Sequence, residues 1–107
     1  MNRLEQLLVF LKDQPNDNFL RYALAQEYFK IGEIEKTKTI YETLVNDSPD
    51  YSATYFHLGK LYEKMNLTED AMQCYKNGIE VTLKNGEAHA KSELQAALLE
   101  LEYDDLI

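Results

Sequence analysis

Cysteine, proline and glycine are scarce in this sequence. Cys74 is the only cysteine among 107 residues, so an internal disulfide is impossible and nothing indicates an oxidising compartment. The two prolines and four glycines form no linker-like tract. A chain of this length without such a tract is expected to fold as one domain, residues 1–107, without help from a disulfide or a metal.

Basic residues and long apolar runs are also in short supply. Eleven Lys and Arg face 19 Asp and Glu, and a net charge of −8 argues against binding to nucleic acid. No stretch approaches the ~20 apolar residues of a membrane span. The short apolar run Leu7–Leu11 has polar flanks and no cleavage site of a signal peptide. The sequence therefore predicts a cytoplasmic protein that binds neither nucleic acid nor membrane.

Catalytic motifs are missing as well. The sequence has no glycine-rich phosphate loop, no nucleophile elbow and no His-Glu-x-x-His zinc motif. The two histidines, His57 and His89, lie on different predicted helices, and both are interpreted as partly solvated. Cys74 is interpreted as a small buried apolar residue. We predict no catalytic residue, no metal and no cofactor, and the chain is not expected to be an enzyme.

Helical periodicity is present along nearly the whole chain. Proline-containing breaks occur around Pro15 and Pro49, where the flanking Asp, Asn and Ser residues can cap the next helix. Thr68 is predicted to cap the fifth helix and Gly86 to end it. Six helices are expected, at about 2–13, 18–31, 35–47, 52–65, 69–84 and 87–103.

The breaks and several apolar residues recur at an interval of 34 residues. The matching pairs are Pro15 with Pro49, Leu24 with Leu58, Tyr28 with Tyr62, and Tyr41 with Tyr75. A period of this length that contains two helices is typical of helical-repeat proteins.

The second of these units resembles the tetratricopeptide repeat family. Its pattern is Tyr55-x-x-Leu58-Gly59-x-x-Tyr62 followed by Ala71-x-x-x-Tyr75. Gly59 and Ala71 would allow two helices to approach closely, with the larger side chains filling the space between them. The first unit is similar in Leu24-Ala25-x-x-Tyr28, Gly32, Tyr41 and Pro49, but it has Arg21 where an aromatic is usual and Thr37 where alanine is usual.

The resemblance implies an all-α helical-repeat solenoid, a right-handed superhelix of about six antiparallel helices. We divide the chain into an N-terminal flanking helix (1–14), repeat 1 (18–51), repeat 2 (52–85) and a C-terminal capping helix (86–103). The capping role rests on an apolar stripe along one side of the last helix: Ala90, Leu94, Ala97, Leu98 and Leu101.

The resemblance also implies where a partner would bind, because the first helix of each pair lines the concave surface in this family. The corresponding candidate residues are Phe19, Tyr22, Gln26, Phe29, Lys30, Phe56, His57, Lys60, Lys64 and Lys91. The alternative is that the aromatic residues pack between adjacent repeats. Of the positively charged positions with which some family members hold a chaperone C-terminus, only Lys91 keeps its charge, so that activity is not expected.

The sequence therefore predicts an adaptor that binds a peptide or helix of another protein in a concave groove. The mixture of aromatic residues and lysines suits a segment with apolar anchors and some acidic residues. The alternative is a homodimeric scaffold that associates weakly through its terminal helices. Val9 and Phe10 favour that alternative, because Val9 lies off the main apolar stripe of the first helix and Phe10 lies at its edge.

Overall fold

The computed structural model describes residues 1–106, which form six α-helices and no strand. The helices are α1 (Arg3–Asp13), α2 (Asn18–Lys30), α3 (Ile34–Asp47), α4 (Ala53–Lys64), α5 (Thr68–Asn85) and α6 (Ala88–Leu106). The predicted all-α helical-repeat fold is confirmed. The chain divides into two compact units, unit 1 (Met1–Tyr51) and unit 2 (from Ser52 onward), which are described separately.

Helix ends follow the chemistry of the residues beside them. The side chains of Asn2 and Asp17 accept hydrogen bonds from the backbone N–H groups of Glu5 and Leu20, at 2.9 and 2.8 Å, and so cap α1 and α2. Gly86 ends α5 in the left-handed conformation, with a φ of 73°, as predicted. The prediction for Thr68 was wrong, because Thr68 is the first residue of α5 and Leu67, which has no polar side chain, precedes it.

The turns between the two helices of each repeat share one backbone feature. Gly32 follows α2 with a φ of 81°, and Asn66 follows α4 with a φ of 60°. These residues are 34 positions apart and occupy the same place in their repeats. Glycine has no Cβ and asparagine can hydrogen-bond locally, so both tolerate the left-handed region better than other residues.

Unit 1 packs α1 and α3 against α2. Its core contains the buried residues Leu7, Ala23 and Leu24, with Tyr28 and Ile40 packed beside them. Arg21, the departure from the repeat pattern, is largely buried, with 14% of its side chain exposed, and its guanidinium lies 2.9 Å from the carboxylate of Asp47. The ion pair thus links α2 to the end of α3 at a position where an aromatic is usual.

In unit 2, two glycines allow α4 and α5 to pack closely, because each glycine lies against a tyrosine of the opposite helix. A Cβ atom on Gly59 of α4 would overlap the ring of Tyr75 on α5, and one on Gly78 of α5 would lie 2.6 Å from Cβ of Tyr55 on α4. The order of these contacts shows that α4 and α5 run antiparallel. The close crossing of Gly59 with the helix that carries Ala71 is therefore confirmed.

The last helix differs from its prediction in two ways. It extends to Leu106 rather than ending at about residue 103, so Asp104 and Asp105 are helical. Its predicted inner stripe is correctly placed, with Leu94 and Ala97 buried, but the helix is not apolar on one side only. Leu99 is 68% exposed and Tyr103 is 65% exposed on the opposite side.

Candidate functional site

Helix α2 presents an aromatic surface in unit 1. Residues spaced by three and four positions lie on one side of a helix. This spacing places five of the predicted site residues on one side, which we name the α2 face: Phe19, Tyr22, Gln26, Phe29 and Lys30. Phe19 is 57% exposed and Phe29 is 42% exposed, whereas Tyr22 is half-buried.

Tyr22 belongs partly to the packing of unit 1. Its ring centroid lies 6.1 Å from those of both Tyr41 and Tyr51. The side-chain amide of Gln26 donates a hydrogen bond of 3.3 Å to the Tyr22 hydroxyl. Burial raises the pKa of Tyr22, and the neighbouring Tyr51 raises it further. Tyr22 is thus a neutral, positioned ring at neutral pH that still has one side toward solvent.

The charge of Lys30 is partly neutralised within its own helix. Its ammonium lies 2.9 Å from the carboxylate of Glu27, which also lies 3.5 Å from the guanidinium of Arg3. The Glu27 side chain is only 15% exposed, so this carboxylate links α1 and α2 in a sheltered position. Lys30 therefore contributes less positive charge to the α2 face than the sequence alone indicates.

Helix α4 carries the corresponding residues in unit 2, the α4 face: Phe56, His57, Lys60 and Lys64. Phe56 is half-buried, with its ring centroid 6.4 Å from that of Tyr75. The Lys60 ammonium lies 5.5 Å from the Phe56 centroid and 3.6 Å from the Glu63 carboxylate. The Tyr75 hydroxyl donates a hydrogen bond to that same carboxylate.

His57 and Lys91 complete the predicted set. Burial lowers the pKa of His57, and the nearby carboxylate of Glu93 on α6 partly offsets this effect. Lys91 lies on α6 and is half-buried, whereas Lys64 at the end of α4 is exposed. The α4 face thus has one aromatic ring, one imidazole that favours its neutral form, and two exposed lysines.

Sequence reasoning missed an apolar depression on unit 1. Its volume is about 420 Å³, and Leu24, Tyr28, Lys36, Thr39 and Ile40 are among the residues that line it. The ammonium of Lys36 lies 5.2 Å from the centroid of the Tyr28 ring. The threonine on α3 was the available signal, because a side chain shorter than its neighbours leaves the space open.

The α2 and α4 faces offer side chains suited to apolar contact and hydrogen bonding. Cys74 is buried, its thiol donates a hydrogen bond of 3.3 Å to the Tyr55 carbonyl, and burial raises its pKa to about 12. A thiol in this state is a poor nucleophile. Among residues 1–106, no cluster of His, Cys, Asp and Glu side chains could hold a metal ion, and no helix is long and apolar enough to cross a membrane.

Comparison with known proteins agrees with this architecture. The family model described as tetratricopeptide repeat matches residues 52–85, the range assigned to repeat 2. A tetratricopeptide repeat domain protein from Salinibacter ruber has a solution structure that superposes with a TM-score of 0.80. It is 48% identical, and the match covers 82% of this chain and 89% of that one.

The chain belongs to the tetratricopeptide repeat family. A TPR repeat-containing protein of Pseudomonas aeruginosa is 25% identical over 99 residues, which cover 92% of this chain and 94% of that protein. A protein of Bordetella parapertussis, 22% identical, has the same fold, with a TM-score of 0.83 over 98% of this chain and 91% of its own. Tetratricopeptide repeats generally mediate interactions between proteins.

Proposed function

We propose that this tetratricopeptide repeat protein is an adaptor that binds a peptide or helix of another protein, and that its contacts lie on the first helix of each repeat. The exposure of Phe19 and Phe29, at 57% and 42%, is the observation that carries the proposal. Large aromatic side chains left in water on one helix face mark a surface that another molecule covers. The half-buried Tyr22 between them supplies a fixed ring on the same α2 face.

The α4 face offers a similar aromatic contact surface, and it carries more positive charge than the α2 face. The position of Lys60 above the Phe56 ring leaves its stem against the aromatic surface. A partner residue that is both apolar and flanked by a carboxylate would contact the ring and the lysine together. The partner is therefore an apolar segment that carries some acidic residues. Because Lys30 and Lys60 already have carboxylates near them, salt should affect the association rate more than the final affinity.

Affinity capture with matched variants tests the proposal. Wild-type protein, Phe19→Ala, Phe29→Ala and the control Phe10→Ala would be compared as bait in extract from the source cell, and the captured partner would then be titrated with each purified variant. Phe10 is a suitable control, because it is an equally exposed phenylalanine (55%) on α1. We expect about tenfold or greater loss of affinity for the α2 variants. Equal binding by all four proteins would refute the proposal.

Self-association through the first helix is the second candidate. Val9 and Phe10 are 45% and 55% exposed on α1, away from the buried Leu7. Light scattering over a range of protein concentrations tests it directly. A mass that doubles with concentration in the wild type but not in Phe10→Glu would assign a homodimer to α1. A monomer at every concentration would leave the adaptor as the only candidate.

A further inference from the structure

Helix α6 exposes a second apolar stripe, opposite the side that packs in unit 2. Leu94 and Ala97 are buried, whereas Leu99, Tyr103 and Leu106 are 68%, 65% and 87% exposed. The exposed residues continue toward the start of the helix at alternating spacings of three and four. Together they form the α6 seam: His89, Ser92, Ala96, Leu99, Tyr103 and Leu106, all exposed.

The spacing of the α6 seam is that of a coiled coil. In a two-stranded coiled coil the seam positions alternate by three and four residues, and the residues next to them decide the partner by charge. The seam becomes more apolar toward its C-terminal half, where leucine and tyrosine replace histidine and serine. A helix that packs there would therefore be held mainly by Leu99, Tyr103 and Leu106.

From Ser92 onward, the charges beside the α6 seam are all negative, whereas Lys91 precedes Ser92. Glu93 and Glu100 follow seam residues, and Glu102 precedes one. No lysine or arginine occurs between Ser92 and Leu106, where five acidic residues occur. Pairing of two copies of α6 would bring together two segments that each carry these five acidic residues and no basic one, and repulsion between like charges disfavours that pairing. The charge pattern thus selects a basic partner and disfavours a second α6.

We propose that the α6 seam binds one amphipathic helix of a different protein, with apolar residues at coiled-coil spacing flanked by lysine or arginine. The other helices of this chain do not meet that description. In α1, for example, Arg3 and Lys12 are balanced by Glu5 and Asp13. The α6 seam shares no residue with the α2 and α4 faces, and its partner has the opposite charge from the acidic segment proposed for them. The two proposals can therefore fail independently.

Synthetic helices provide the test. The probe is a three-heptad peptide with leucine at both seam positions and lysine at the flanking positions, whose own charges keep it from self-pairing. One comparison peptide has glutamate at the flanking positions, and another has the composition of the probe with its seam scrambled. Titration by fluorescence anisotropy should show saturable binding of the lysine probe alone. No saturation at about 1 mM probe, or equal binding of the scrambled peptide, would overturn the proposal.

Substitutions in the α6 seam test whether the probe peptide binds there. The double substitution Leu99→Gln with Tyr103→Gln should weaken probe binding by about tenfold or more. Leu83→Gln is the matched control, because Leu83 is 64% exposed on α5 outside the seam. Unchanged circular dichroism would show that the variants are folded. Should the seam variant bind as the wild type does, the probe lies elsewhere and the proposal is wrong.

Charge reversal separates specific pairing from general attraction to an acidic protein. Glu100→Lys with Glu102→Lys should reverse the preference, so that the glutamate peptide binds better than the lysine probe. The control, Glu69→Lys with Glu80→Lys, makes the same change in net charge at exposed positions of α5 and should keep the original preference. Identical behaviour of the two double variants would overturn the proposal. Dimerisation of the wild type that Leu99→Gln with Tyr103→Gln abolishes would assign the seam to a second copy instead.

Discussion

The ring of Tyr75 lies against the backbone of Gly59, at a place where a Cβ atom would come within 2.7 Å of two ring carbons and closer still to a third. Tyr75 is fully buried, so its ring has little room to move away. The reciprocal contact of Tyr55 with Gly78 fixes the same pair of helices at a second point. Together the two contacts set the separation of α4 and α5.

Gly59→Ala should therefore destabilise the protein, although replacing glycine in a helix with alanine ordinarily stabilises it. Overpacking of this kind costs roughly 1–3 kcal/mol, which denaturant unfolding followed by circular dichroism would measure. A second substitution, Tyr75→Leu, would remove the ring. The double variant should then lose less than the sum of the two single changes. Stability equal to or above that of the wild type in Gly59→Ala would contradict the geometry.

The effect of aromatic substitutions on stability should depend on how deeply each ring of the α2 and α4 faces is buried. Tyr22 and Phe56 are half-buried and contact other rings, so Tyr22→Ala and Phe56→Ala should lower the melting temperature. Phe19→Ala and Phe29→Ala should change stability by no more than about 0.5 kcal/mol, as surface substitutions usually do. Calorimetry on all four variants measures this. Equal losses in both pairs would show that the exposed rings also serve packing.

Cys74 should react with thiol reagents only when unit 2 opens. Burial raises the pKa of its thiol to about 12, so little thiolate exists at neutral pH, and the reagent cannot reach it. Labelling should be slow in the native protein and fast in denaturant. The double substitution Cys74→Ala with Ser92→Cys places a thiol at an exposed position and should react quickly under native conditions. Rapid labelling of native Cys74 would be incompatible with this structure.

His57 should make stability dependent on pH below neutrality. Burial lowers its pKa below the ordinary 6.5, so the unfolded chain takes up a proton at a higher pH than the folded one. Stability should therefore fall as the pH falls through about 6.5 toward the folded-state pKa. In His57→Gln this part of the loss should be absent. A His57→Gln profile of melting temperature against pH that matches the wild-type profile would contradict this account.

Much of the fold could be predicted from the sequence, because the same packing residues occur at matching positions in both repeats. Leu58, Gly59 and Tyr75 indicated one helix crossing, and the prolines indicated the ends. The sequence prediction for α6 was incomplete, because the inner stripe alone accounts for the packing of this helix and leaves Leu99 and Tyr103 unexplained. A helix with two apolar sides cannot be told from a one-sided helix by one stripe alone.

The candidate site was less predictable for a different reason. Periodicity placed Phe19 and Phe29 on one helix face, but their exposure depends on neighbouring helices. The carboxylates beside Lys30 and Lys60 were each three residues away on the same helix, a spacing that does predict ion pairs. They could have been anticipated. The position of Arg21 beside Asp47 could not, because it depends on the packing of α3 against α2.

The shared turn position of Gly32 and Asn66 has a consequence for how such chains diverge. The two repeats have different residues there, and both residues have a positive φ, so the feature that the repeats share at this site is the backbone conformation rather than the side chain. Exchanging the two residues should leave each turn intact, and a β-branched residue at either should not. A search that scores side-chain identity alone would count this position as a mismatch, although both repeats have a positive φ there.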